Sequence, residues 1–284
     1  MRSYDATRWL ALATMWSLQY LFLRVAVPTF GTALVAEGRA LFAALFLVPW
    51  VAWVARQRIA PLEHWKDHLA VALVNNVAPF VCFAWAASAL PAGYLAVING
   101  MVPLWAAIIA VPVLKERLGF GPIAGFALGI AGVALIVNLG PVEMGWKTSL
   151  GALAGIAGAA FWGWAGVIIK QRSGRLPPMG LAAGSIAFAA LLMAPLLAAA
   201  PSQQWTLPAL ASLIALGAIC SGLAYLPFFT LIRDIGPSRT LTVGLAVPVL
   251  GILWGWLFLD ETVTLGMLAG TALVLGALVL VLRR

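Results

Sequence analysis

One carboxylate of this chain, Glu37, lies well inside a run of apolar residues, Leu34-Val35-Ala36 before it and Ala40-Leu41-Phe42 after it. A carboxylate held away from water is expensive, so such a position marks a proton carrier, an ion-pair partner or a gate. Arg24 and Arg39 are the nearby cations. A chain reversal at about Phe30 would bring Arg24 and Glu37 to similar depths on adjacent antiparallel helices. An ion pair between them would then remove the cost of two lone buried charges. The expectation is an Arg24–Glu37 pair near the outer face, acting either as a structural clamp or as a gate that breaks when a cavity opens. Arg39 should face away from Glu37, to snorkel or to meet a polar cavity.

Polar side chains gather on particular apolar stretches: Gln19 with Tyr20, Asn75 with Asn76, Tyr94 with Asn99, Ser221 with Tyr225, Thr240 with Thr242. In a bilayer these groups need partners and so face other helices or a water-filled cavity. Trp9, Trp50, Trp53, Trp65, Trp146 and Trp205 fall near stretch ends, the usual interfacial place for tryptophan. Trp16, Trp85, Trp105, Trp162 and Trp164 fall further in, as packing bulk or as the wall of a site for aromatic or apolar groups. The candidate substrate-binding residues are Trp16, Tyr20, Asn76, Tyr94, Asn99, Trp162, Trp164 and Tyr225. Catalysis is not expected. Ser221 lacks a base, because His64 and His68 sit at or near the inner face. Trp146 interrupts the Gly-Lys-Thr that a phosphate loop requires. No metal or cofactor is expected, and Cys82 and Cys220 read as inert packing residues.

These residues must be positioned by membrane helices. The chain is 63% hydrophobic and 9% charged, whereas ordinary soluble domains carry about 45–50% apolar and 25% charged residues. Ten windows are long enough to span: 8–27, 32–54, 68–88, 92–114, 119–138, 148–170, 179–199, 207–232, 237–258 and 264–283. The first reads as a retained signal-anchor helix. With a cytoplasmic N-terminus, fourteen of the 17 Lys and Arg fall in inner segments and only Lys147 in an outer one, with Arg24 and Arg39 inside spans. That bias places both termini in the cytoplasm and accounts for the net charge of +8 without a nucleic-acid partner.

The two halves repeat. At an offset of 145, Val102-Pro103 meets Val247-Pro248 and Glu116 meets Glu261; further upstream, at 146, Trp16 meets Trp162 and Arg24 meets Lys170. Five spans per half make the second half enter the membrane inverted. Lys115-Glu116-Arg117 accordingly becomes Asp260-Glu261-Thr262, its topogenic charges lost. The fold class is therefore an all-α membrane protein of two inverted five-helix repeats, 1–142 and 143–284. Pro103 and Pro248 should each kink a span, and their symmetric placement makes them candidate hinges. Glycines at four-residue spacing, Gly121-Gly125-Gly129 and Gly266-Gly270, permit close helix packing inside a monomer, with a homodimer as the alternative.

Trp16-Ser17 with Arg24, Trp162-Gly163 with Lys170, and proline-containing fourth helices ending in Leu-x-Glu at Glu116 and Glu261 resemble the drug/metabolite transporter superfamily. More narrowly, the chain resembles the EamA-type ten-helix exporters, and its tryptophans make it similar to their aromatic amino-acid exporter branch. The resemblance implies a bacterial inner-membrane secondary transporter exporting small metabolites, chiefly amino acids, by alternating access around a midplane cavity. The alternatives are a multidrug cation/proton antiporter and a non-transport scaffold subunit. The antiporter would want a carboxylate in the first helix of a repeat, where this sequence has Thr14, Met15 and Trp16.

Overall fold

The computed structural model describes residues 3–115, 120–139, 145–172, 174–199 and 205–282, and every regular element among them is helical. Among the described residues, seven helical segments are long and apolar enough to cross a membrane: Tyr4–Val54, Trp65–Ala87, Ala92–Leu114, Trp146–Gln171, Pro178–Ala198, Leu207–Ile235 and Arg239–Leu259. Two shorter apolar helices, Ile123–Ile136 and Leu265–Leu280, accompany them. The first segment, 51 residues long, would measure about 75 Å if straight, against a hydrocarbon core of about 30 Å. Gly31 resolves the mismatch. It interrupts α1 (Ser3–Pro49) with a φ of 73°, a conformation that glycine alone adopts cheaply.

Several later segments are broken or wound differently along their length. The second consists of α2 (Trp65–Val71), a π-helical stretch Ala72–Val77 and α3 (Ala78–Ala87). Next come α4 (Ala92–Asn99), α5 (Val102–Leu114), α6 (Phe120–Leu139), α7 (Trp146–Gln171) and α8 (Pro178–Met193). Helix α9 (Leu207–Gly217) leads through another π stretch, Ala218–Leu223, into α10 (Tyr225–Ile235); a short π stretch, Trp50–Val54, also ends the first segment. The chain ends with α11 (Pro237–Leu241), α12 (Val243–Leu259) and α13 (Leu265–Leu282).

Proline opens several of these helices. It occupies the first turn of α5, α8, α9 and α11, where a missing N–H removes no intrahelical bond. This corrects the expected kink at Pro103. The chain is already broken at Gly100 and Met101, and Pro103 starts α5 instead of bending a continuous helix. Pro248 does lie inside α12 and is buried there. The two prolines therefore stand in unlike local structures. Helices α5 and α12 do end alike, on Lys115 (φ 56°) and Asp260 (φ 52°), both left-handed. Glu116, which follows the first of these ends, lies outside the described residues.

Packing between segments depends on small residues, because lipid removes most of the hydrophobic drive for helices to associate. A Cβ on Gly132 would stand 2.7 Å from the Gly270 carbonyl oxygen, so α6 and α13 touch backbone to backbone. Gly121 likewise faces the Leu280 carbonyl, which places these glycines in packing within one chain. Helix α4 crosses α12 through Gly93 against Ile252, Gly251 against Ala96, and Gly100 against Pro248. Helix α1 packs against α3, α8, α9, α10 and α12, and α7 packs against α3 and α5.

Candidate substrate site

Two of the three π-helical stretches among the described residues, Ala72–Val77 and Ala218–Leu223, aim polar groups into the same region, while the third, Trp50–Val54, carries no polar side chain other than Trp. A π turn widens the hydrogen-bond ladder to i→i+5 and disturbs the pairing of nearby carbonyls. In the first, the Asn75 carbonyl accepts from Trp162 Nε1 at 2.9 Å, and Asn75 Nδ2 donates to Tyr225 Oη at 3.0 Å. In the second, the Ser221 hydroxyl donates to the Leu216 carbonyl at 3.0 Å and accepts from Arg39 Nε at 2.8 Å.

Arg39 is the centre of this cluster. It is 3% exposed, and its Nη2 donates to Gln19 Oε1 at 2.8 Å. Its guanidinium carbon sits 3.9 Å from the Phe80 ring centroid and 5.8 Å from that of Trp162. Nη1 has no hydrogen-bond partner, and none of the ion pairs among the described residues includes Arg39. Taking a cation from water costs several kcal/mol even after relaxation. Cation–π contacts return up to about 2 kcal/mol each, and each hydrogen bond to a charged group about 1.5–3 kcal/mol. The neutral surroundings can thus hold the guanidinium, yet they leave its charge uncompensated.

Aromatic rings enclose the charge. Phe83 stacks on Trp162 at 4.7 Å and 25°, and Tyr20 leans on Phe83 at 5.9 Å. Trp16 contacts Phe228 at 5.2 Å, and Tyr225 stacks on Phe229 at 5.7 Å. Of the residues expected from sequence, the cluster gathers Tyr20, Trp162 and Tyr225, with Trp16 at its edge through Phe228. Asn76 joins it through Asn75, whose Nδ2 donates to Asn76 Oδ1 at 3.2 Å, while Asn76 Nδ2 donates to Ser185 Oγ at 3.4 Å. Tyr94 is fully buried on α4, and Asn99 is half-buried at that helix's last residue; neither takes part in the contacts above. Trp164 is 40% exposed and stacks on Phe161, outside the cluster.

The expected Arg24–Glu37 pair does not form. Arg24 Nη1 donates to the Ala87 carbonyl at 2.8 Å, and its Nε lies 3.8 Å from Glu261 Oε1. Glu261 is held there by α4, whose first amides, Ala92 N and Gly93 N, donate to its two carboxylate oxygens at 2.7 and 3.2 Å. A helix N-terminus with open amides is a strong carboxylate site, and Arg24 follows the carboxylate fixed on it. A depression of about 370 Å³, lined by Trp256, Asp260, Glu261, Thr262 and Val263, opens beside this clamp. Glu37 stays buried at 2% exposure with Oε2 unpartnered. At the other end of Trp65–Ala87, Asp67 accepts from Arg172 at 2.7 Å and Arg175 at 3.1 Å. Sequence reasoning missed Arg39's central place and Glu261's partner. The recurrence of glutamate at the ends of the fourth and ninth spans was the available signal for the second.

These features belong to a known class. The sequence matches the EamA-like transporter family over residues 9–138 and 149–283, and the chain belongs to that family. It is similar to the uncharacterized transporter YvbV of Bacillus subtilis (strain 168), 28% identical over 276 residues, covering 95% of this chain and 88% of that protein. It is also similar to the uncharacterized transporter YoaV of the same organism, 21% identical over 269 residues, covering 93% and 92%. In fold it resembles a solved crystal structure at a TM-score of 0.66 and 20% identity, covering 99% of this chain and 96% of the other. The protein is thus a multi-pass membrane transporter.

Proposed function

We propose that this transporter exports small metabolites, amino acids with aromatic or neutral side chains, from the bacterial cytoplasm across the inner membrane. Solute binds between two inverted five-helix halves, ten spans in all, with both termini cytoplasmic, and the halves rock to expose it alternately. The observation that carries this reading is the cluster around Arg39, a polar centre with aromatic walls fed by a π-helical stretch from each half. Polar groups inside an apolar shell are what a small-solute site needs.

The packing is consistent with the symmetry. Ala72–Val77 and Ala218–Leu223 stand 146 residues apart, and the left-handed ends Lys115 and Asp260 stand 145 apart, the offsets at which the sequence repeats. Clamps at opposite ends of the bundle, Arg24–Glu261 and Asp67 with Arg172 and Arg175, supply contacts to break in turn. A hinge role for Pro103 and Pro248 fits the broken segment at the first and the proline buried inside a helix at the second. Cation/proton antiport fits less well, because the one charge in the cluster is a cation and repels its kind.

Counterflow in proteoliposomes, with labelled amino acids, organic cations and sugar phosphates, tests the reading. Exchange of aromatic and neutral amino acids is expected. Exchange of organic cations alone would move the assignment to antiport, and exchange of nothing would favour a scaffold subunit.

A further inference from the structure

We infer that Arg39 is the carboxylate receptor of the central site, and that the transported solute carries one carboxylate which docks on its guanidinium. The inference rests on the transporter reading and adds the charge class of the solute and the residue that selects it.

A guanidinium presents two hydrogen-bonding edges. Here the side edge is spent on the protein, with Nε–H donated to Ser221 and one Nη2–H to Gln19. The end edge, Nη1 with the second hydrogen of Nη2, is what remains, and Nη1 is buried without a partner. That edge matches the two oxygens of a carboxylate, the bidentate geometry for which arginine is suited and lysine is not. The guanidinium carbon also lies over the rings of Phe80 and Trp162, at 3.9 and 5.8 Å from their centroids, which restrict its movement. Tyr20 Oη is also buried without a partner. Tyr225 Oη accepts from Asn75 and keeps its own proton to donate. Both hydroxyls belong to the cluster around Arg39, Tyr20 through the Phe83 ring that stacks on Trp162 and Tyr225 through Asn75. They can complete the shell of a bound carboxylate.

The charge count favours a monoanion. Glu37 and Arg39 share one arm of α1, yet no ion pair joins them. The position that repeats Arg39 in the second half, 146 residues on, is Ser185, so the symmetric copy of the site holds no cation. A phosphate dianion would call for a second cation, and no other Lys or Arg appears in the cluster's contacts. The neighbouring rings of Phe83 and Trp162 suit an apolar body attached to the carboxylate.

The test is direct binding to the purified protein in detergent, by calorimetry, with a matched set: phenylalanine, phenylalaninamide, phenethylamine, 3-phenylpropionate and inorganic phosphate. The carboxylates should bind at least tenfold more tightly than the amide and the amine, and phosphate should not compete. Arg39→Gln should reduce that preference to less than about threefold, with Arg39→Lys intermediate because it keeps the charge and loses the fork. Arg39→Gln should melt no lower than wild type, since it removes a buried charge that has no counter-ion. Equal binding of acid and amide by wild type, competition by phosphate, or a preference that survives Arg39→Gln would each overturn the inference. Should the variants fail to fold, the wild-type selectivity alone decides. Absence of any carboxylate binding also defeats it, while counterflow of other solutes would still leave the transporter reading standing.

Discussion

Glu261 is the residue whose removal should do most damage for its size. Its carboxylate accepts from two backbone amides at the start of α4 and faces Arg24 at 3.8 Å, with side-chain exposures of 13% for Glu261 and 32% for Arg24. Loss of a helix-capping carboxylate costs about 0.5–2 kcal/mol. Hydrogen bonds to a charged acceptor raise that, since each contributes about 1.5–3 kcal/mol. The partly exposed ion pair adds no more than about 1 kcal/mol. Glu261→Ala should therefore lose about 2–4 kcal/mol. With a melting shift of about 2–4 °C per kcal/mol for chains of comparable size, the midpoint should fall by roughly 5–10 °C. Arg24→Met leaves the cap intact and should cost only about 1 kcal/mol, a few degrees. Melting of the purified single and double variants measures both, and the coupling between them should be no more than about 1 kcal/mol. An Arg24 variant as unstable as the Glu261 variant would show that the ion pair, and not the cap, fixes this end of the bundle. A Glu261→Ala protein that melts with wild type would refute the geometry altogether.

Glu37→Gln should keep wild-type yield and melt no lower, because the buried carboxylate has neither a cation nor a donor on Oε2 to lose; a sharp fall in yield would reveal a partner. Gly132→Val should destabilise by about 1–3 kcal/mol, read as a lower melting point, since its Cβ would meet the Gly270 carbonyl at 2.7 Å and Val274 at 2.9 Å; wild-type melting would deny the close contact of α6 and α13. A reporter active only in the periplasm, fused after Arg284, should be silent if fourteen of the 17 cations face the cytoplasm as their distribution predicts; activity there would overturn the proposed inverted topology.

Much of the fold was legible because lipid simplifies the code. Ala92–Leu114 could be read to the residue from its apolar run and the Pro91 before it, and Trp146–Gln171 to within two. The breaks inside segments were harder to see. Nothing in Ala72–Val77 or Ala218–Leu223 announces a π stretch, because that geometry is selected by what the disturbed carbonyls and shifted side chains meet from other helices. Pro103 was misplaced for a related reason. Proline signals both a kink and a helix start, and only the break at Gly100–Met101 decides between them.

The site was legible in its parts and not in its pairing. Gln19, Asn75, Ser221 and Tyr225 all stood out as polar groups in apolar runs, but depth along a helix does not reveal which face turns inwards. Arg24 and Glu37 were expected at one depth, yet Arg24 reaches Glu261 instead, because α4 offers that carboxylate two amides and so fixes it. That outcome bears on how the halves divide their labour. The two family-matched stretches carry like elements: a π stretch at equivalent places, Ala72–Val77 and Ala218–Leu223, and Trp16 and Trp162 each packed on a phenylalanine of the other stretch. Where Arg39 meets Ser221 across the halves, its repeat-mate Ser185 meets Asn76. Symmetry can open a cavity to either side, but it cannot by itself tell one end of a solute from the other. In the transport cycle we propose, a single cation, Arg39 in one stretch against Ser185 at the equivalent place in the other, would give an otherwise matched site a polarity without altering the helices that would have to move.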